Sequence, residues 1–176
     1  MRFIPTHLAG AYLIEPEPVS DERGFFARTW CRNEFADKGL NPNLVQCNIS
    51  YNKARGTLRG MHYQKAPHAE AKLVRCTQGA VYDVIVDLRS GSNTFTQWYG
   101  VELTAANRKA LYVPEGFAHG FITLKDDTEV LYQMSEIFHI ECAGGARWND
   151  PVFSIQWPIG VGAISERDQN YQDFKQ

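Results

Sequence analysis

The feature that most limits what this chain can become is its punctuation. Short runs of β-branched and aromatic residues recur along it, each cut off by Gly, Pro, Asn or Asp before it reaches helical length. Candidate strands are Ala11–Ile14, Leu44–Ser50, Thr57–Tyr63, Ala71–Thr77, Val81–Leu88, Trp98–Leu103, Ala110–Val113, Phe117–Ile122 and Glu129–Ser135. Along Val81–Leu88, period two places Tyr82, Val84, Val86 and Leu88 on one wholly apolar side, so at least that face meets a core. Gln78-Gly79 reads as a tight turn between two of these strands, since Gly takes positive φ without steric cost. Helical signal is confined to Cys31–Gly39 and to Ser165–Phe174, where Ser165 precedes Glu166 and Asp168 in a first turn. Such a pattern predicts an all-β, antiparallel sandwich, jelly roll or barrel with a few short helices, and not a βαβ fold.

A length of 176 residues predicts one domain spanning 1–176, large enough for its own core. With 18 Lys and Arg against 20 Asp and Glu, the formal charge is −2. No basic excess exists to hold nucleic acid or an anionic membrane. No run approaches the ~18 apolar residues of a membrane span. The start, MRFIPTHLAGAYLIEPEP, has an apolar patch followed by EPEP rather than a small-residue cleavage site. Cys31, Cys47, Cys76 and Cys142 form no CxxC pair, which argues against zinc-ribbon and thioredoxin chemistry. The expectation is a soluble, cytoplasmic protein with reduced thiols.

Chemistry-bearing side chains gather in a few places. Thr57–Gln64 carries Arg59, His62 and Gln64 in a strand-like segment. A regular strand puts Gly60, His62 and Gln64 on one face and Arg59, Met61 and Tyr63 on the other. Tyr112–Phe121 contains a P-x-G-x-x-H pattern, with Pro114 and Gly116 turning the chain before His119. Taken singly, Lys72 reads as a solvated strand lysine and Tyr132 as a core aromatic.

Taken together, DERGFF (Asp21–Phe26), Asn48-Ile-Ser50, LRGMHYQ (Leu58–Gln64), KLVR (Lys72–Arg75), GAVYDVIVDLR (Gly79–Arg89), VPEGFAHGF (Val113–Phe121), RWNDP (Arg147–Pro151) and SERD (Ser165–Asp168) fall in a recognisable order. The chain resembles the dTDP-4-dehydrorhamnose 3,5-epimerase family over nearly its whole length. That resemblance implies a cupin-like jelly-roll barrel acting on a nucleotide-linked 4-keto-6-deoxyhexose in deoxysugar biosynthesis, without metal or cofactor. It implies that a proton is removed beside the ketone and returned on the opposite face.

By the same resemblance, His62 is the base and Asp168 the carboxylate that fixes its tautomer. Lys72 meets the charge developing on the ketone oxygen, and Tyr132 is the proton donor on the far face. Arg23 and Arg59 match positions contacting the pyrophosphate and nucleotide, a task suited to a planar guanidinium. Phe26, Gln46, Asn48, His119, Phe138 and Arg167 match further substrate positions. Arg23 is implied to reach in from a neighbouring subunit, so a homodimer is expected.

Three positions depart from the family pattern. Arg28 stands where an acid is usual, Ala143 aligns where an acid is frequent, and Phe138 falls within Glu136-Ile137-Phe138 where a Tyr pair is common. Phe138 keeps an aromatic face for stacking. Two rival readings stand beside this one. A metal-dependent cupin would need His68, Glu70 and His119 to converge, since the usual H-x-H pair is missing. A non-catalytic sugar-nucleotide-binding jelly roll would need no base and donor at all.

Overall fold

Strands with one apolar set of side chains are stable only when that set is covered, and here two antiparallel sheets cover each other. The computed structural model describes residues 1–175. In chain order the strands are β1 (Arg2–Pro5), β2 (Tyr12–Glu15), β3 (Val19–Asp21), β4 (Gly24–Phe26), β5 (Gln46–Asn52), β6 (Thr57–Gln64) and β7 (Lys72–Gln78). They continue as β8 (Ala80–Asp87), β9 (Trp98–Thr104), β10 (Ala110–Val113), β11 (Phe117–Thr123), β12 (Thr128–Met134), β13 (Ala143–Gly145) and β14 (Ala163–Ile164). The helices are α1 (Arg32–Asp37) and α2 (Glu166–Gln169). One sheet runs β1-β2-β10-β7-β12-β5, the other β13-β6-β11-β8-β9 with β14 beside β6, and β3 and β4 form a separate hairpin.

The all-β expectation is borne out, as a cupin-like jelly roll. All nine expected strands are present, with no end displaced by more than two residues and Ala110–Val113 unchanged. Ser165–Phe174 yields only the single turn of α2, capped by the Ser165 hydroxyl, which accepts the Asp168 amide hydrogen. Gly79 is a turn but not a hairpin. It carries the chain, at φ +77°, from β7 in one sheet to β8 in the other. Among the described residues no helix is long and apolar enough to cross a membrane.

Three clusters hold the sheets. Leu13, Val74, Val81, Ile85, Leu111, Phe121 and Val130 come from both sheets and fill one end of the space between them. Phe35 of α1 packs with Ile14, Leu73 and Tyr112 on the outer side of the first sheet. Met61, Val84, Val86, Ala118 and Phe153 cover the outer side of the second. Thus both faces of β8 are buried, and its inward set includes Asp83 and Asp87, each fully buried. Asp87 is reconciled by hydrogen bonds from Arg89, Ser92 and Thr94.

β6 corrects the regular-strand expectation. His119 pairs with His62, but two residues on, Phe121 pairs with Arg59, three residues away. One extra residue therefore bulges into β6 at Gly60-Met61, and this phase shift brings Arg59 and His62 to the same side. Gly60 is required there. Its φ is +127°, and a Cβ would meet the Gly120 Cα at 2.5 Å and the His119 carbonyl oxygen at 2.9 Å. Gly60→Ala is expected to lower stability by ~2–4 kcal/mol, read as a fall in denaturant midpoint, because strain and backbone overlap combine.

Candidate active site

The end of the inter-sheet space that the core leaves open is a cavity of about 420 Å³. Strand alternation decides what faces it. Gln46, Asn48 and Ser50 project from β5, Lys72 from β7, and Tyr132 from β12, all in the first sheet. Arg59 and His62 of β6 and His119 of β11 project from the second. Toward the closed end the same strands carry apolar residues. Lys72 gives way to Val74 and Cys76, and Tyr132 to Val130, so one strand serves both cavity and core. Phe138 and Arg167 complete the rim.

His62 is held from behind. Its Nε2 lies 2.7 Å from Asp168 Oδ1, and Asp168 Oδ2 accepts the Gly60 amide hydrogen at 3.1 Å. Burial pushes the Asp168 carboxyl up, but the hydrogen bond and charge of His62, the Gly60 amide and the Arg167 guanidinium outweigh it and hold the group at about 2. A permanent carboxylate at Nε2 places the ring proton there and leaves Nδ1 as the basic atom. Arg167 supports the carboxylate, its Nε donating to Asp168 Oδ1 at 3.3 Å, while its terminal nitrogen, 3.2 Å from His62 Nε2, meets a fellow donor in this tautomer and makes no hydrogen bond to it.

Lys72 is nearly buried. Its Nζ donates to the His62 carbonyl oxygen at 3.3 Å and pairs with Glu70 Oε1 at 3.1 Å. Burial pushes the Tyr132 phenol well up, helped by the negative Asp83 and only partly offset by Ser50 and Arg59. At neutral pH the phenol therefore carries its proton. Its ring meets His119 edge-on at 5.9 Å, and His119 Nε2 is 2.8 Å from the buried Asp83. Arg59 Nε donates to Asn52 Oδ1 at 2.7 Å, which aims the rest of the guanidinium at the cavity. Gln46 accepts the Phe138 amide hydrogen at 3.1 Å and so ties the rim ring to β5.

Of the residues singled out in the sequence, His62, Lys72, Tyr132, Gln46, Asn48, Arg59, His119, Phe138 and Arg167 line this cavity, with Asp168 directly behind. Arg23 and Phe26 do not. They sit on the β3–β4 hairpin, where Arg23 pairs with Asp21 and Phe26 is 77% exposed. Tyr63 and Tyr171 line the cavity without having been singled out; Gln64 also lines it, noted in the sequence beside His62 without a role, and so does Glu70, noted only as a ligand of the metal-dependent alternative. Gln64 and Glu70 were within reach of period-two reasoning, each two positions from a chosen residue. Tyr171 gave no such signal, because it follows α2 in irregular chain; its ring stands edge-on to His62 at 6.2 Å. The ligand set of the metal-dependent alternative does not assemble. Glu70 is paired with Lys72 and His119 with Asp83, and His68 groups with other residues.

The family model described as dTDP-4-dehydrorhamnose 3,5-epimerase matches residues 5–176. The chain belongs to this family. The dTDP-4-dehydrorhamnose 3,5-epimerase of Methanothermobacter thermautotrophicus is 43% identical over 178 residues, covering 99% of this chain and 95% of that protein. The crystal structure of the Elizabethkingia anophelis dTDP-4-dehydrorhamnose 3,5-epimerase superposes with a TM-score of 0.96 at 43% identity, covering 99% of this chain and 96% of that one. A Legionella pneumophila relative, solved in complex with dTDP-4-keto-L-rhamnose, superposes at 0.88 with 37% identity, covering 95% and 89%. As a member of the dTDP-4-dehydrorhamnose 3,5-epimerase family, the chain is an epimerase, an isomerase of deoxysugar biosynthesis.

Proposed function

We propose that the cavity takes a dTDP-linked 4-keto-6-deoxyhexose and inverts carbon beside its ketone by removing and replacing a proton. The observation that carries this reading is the mounting of His62 and Tyr132 on opposite sheets across one cavity. Inversion demands that arrangement, because a single group returns a proton only to the face it came from. His62 Nδ1 takes the proton from carbon; the electron pair moves onto the ketone oxygen; the Lys72 ammonium faces that developing charge. Tyr132 then delivers its proton to the opposite face of the same carbon. Solvent exchange restores both groups. Glu70, 3.1 Å from the ammonium, holds it in place at the cost of part of its field.

Arg59 and Arg167 give the cavity mouth the positive character a diphosphate needs, and Phe138 offers a ring face to the base. The β3–β4 hairpin holds Arg23 and Phe26 away from their own cavity, which supports a homodimer in which each hairpin serves the partner. Incubation in heavy water with dTDP-4-keto-6-deoxyglucose tests the reaction. Deuterium entering carbon next to the ketone is expected, whereas a protein that only binds the nucleotide sugar gives none. Arg59→Ala is expected to weaken dTDP-sugar binding by ~1–3 kcal/mol, the worth of charge-assisted hydrogen bonds, and calorimetry reads it directly.

A further inference from the structure

Outside the cavity, ligand-type side chains gather most closely on its rim. His68 comes from the β6–β7 loop, Glu136 and His139 from the β12–β13 loop, and one donor atom from each lies within 4.8 Å of the others. The hydrogen bonding around them leaves those donors spare. Glu136 Oε1 accepts the Ile137 amide hydrogen at 2.7 Å, while Oε2 stands 3.8 Å from His68 Nδ1. That nitrogen is buried and has no hydrogen-bond partner, a condition native structures seldom leave without a reason. His139 Nδ1 lies 3.0 Å from Glu141 Oε1, so a carboxylate stands behind the ring and Nε2 is free. A carboxylate behind an imidazole is how ligating histidines are oriented.

We propose that His68, Glu136 and His139 bind a first-row divalent metal ion of the zinc class and that the ion fastens together the two loops framing the cavity mouth. Two nitrogens and one carboxylate oxygen suit zinc and its neighbours, whereas calcium and magnesium take oxygen. Bonds of about 2.0–2.2 Å set tetrahedral ligands about 3.4 Å apart, so the donors close by roughly 1 Å, with water as fourth ligand. The two imidazoles are stacked, centroids 3.5 Å apart and 12° from parallel, and must fan open to aim at one ion. All three side chains are only half-buried, which leaves room for that rotation.

The loops are already joined by Gln64, whose Nε2 donates to the His68 and Ile137 carbonyl oxygens while its Oε1 accepts the His139 amide hydrogen. An ion held by Glu136 and His139 would grip the chain on both sides of Phe138, the rim ring that faces the cavity. It would take no part in proton transfer.

The test uses the full chain, freed of metal by chelation and titrated with Co²⁺ and then Zn²⁺. Saturable visible bands from bound Co²⁺, abolished as Zn²⁺ displaces it, are expected, together with slowed amide exchange across residues 136–142. Glu136→Gln and His139→Gln, which keep side-chain bulk, are each expected to weaken Zn²⁺ binding by at least ~10–100-fold, the loss typical even of outer partners. His7→Ala, removing an exposed histidine elsewhere, should leave it unchanged. Failure of Zn²⁺ to saturate the wild-type protein at micromolar concentration overturns the proposal. So does binding that survives in both glutamine variants. Because the wild-type titration stands alone, a variant that misfolds does not rescue it.

Discussion

His62→Ala should stop deuterium entry at every carbon beside the ketone, with the rate falling by ~10²–10⁴-fold or more, while dTDP still binds. The loss is large because the other basic side chains of the cavity are already engaged, Glu70 with Lys72 and His119 with Asp83. Tyr63 and Tyr171, nearby, are phenols, and the Tyr171 proton is held more tightly by burial. Asp168 is buried and already committed to the Gly60 amide and to His62. Asp168→Asn should cost less, since the imidazole remains but its tautomer is no longer imposed. The carboxylate itself titrates only toward about 2, lowered from 3.8, so its stabilising contribution is complete above its ordinary range and is lost as pH falls through about 2. Any loss of activity between pH 5 and 7 therefore does not arise from Asp168. Equal deuterium entry in wild type and His62→Ala would remove His62 from the role of base.

Tyr132→Phe should separate two processes that the wild type couples. The substitution deletes one hydroxyl and leaves the ring packed against His119 and Phe121, at 5.9 and 6.4 Å. Proton removal by His62 and charge stabilisation by Lys72 survive. The enolate is then reprotonated by the imidazolium on the face it left, so label enters without inversion. Inversion should fall by ~10²–10⁴-fold, the usual worth of a positioned acid, while label entry falls far less. Nuclear magnetic resonance of the sugar reads label and configuration in one sample. If both rates fall together, Tyr132 is not the donor.

How far the sequence anticipates this site differs from strand to strand, for physical reasons. β5 and β12 pair in unbroken register, so the positions marked by the family resemblance, Gln46, Asn48 and Tyr132, share one face as simple alternation requires. β6 is not regular, and alternation separates Arg59 from His62 until the bulge rejoins them. A bulge is a property of two strands in register, and one strand's residues do not encode it. The strands without a sequence signal, β1, β3, β4, β13 and β14, have four residues or fewer and carry little alternation to read. β8 shows the opposite case. Its acidic residues look like a solvent face, but Asp83 and Asp87 are inside because His119, Arg89 and hydroxyls meet them there. The His68–His139 stack depends on two loops joined through Gln64, a proximity with no trace in spacing.

The packed end and the open end of the inter-sheet space are walled by the same strands, so the hydrocarbon at one end acts as a shim for the other. The volumes of Ile85 and Val130, one from each sheet, set how widely the two walls stand apart where acid and base confront each other. Trimming either side chain would narrow or tilt that gap without touching a reacting group. Stereochemical fidelity in this protein is thus partly a matter of thickness, governed by residues that never meet the sugar.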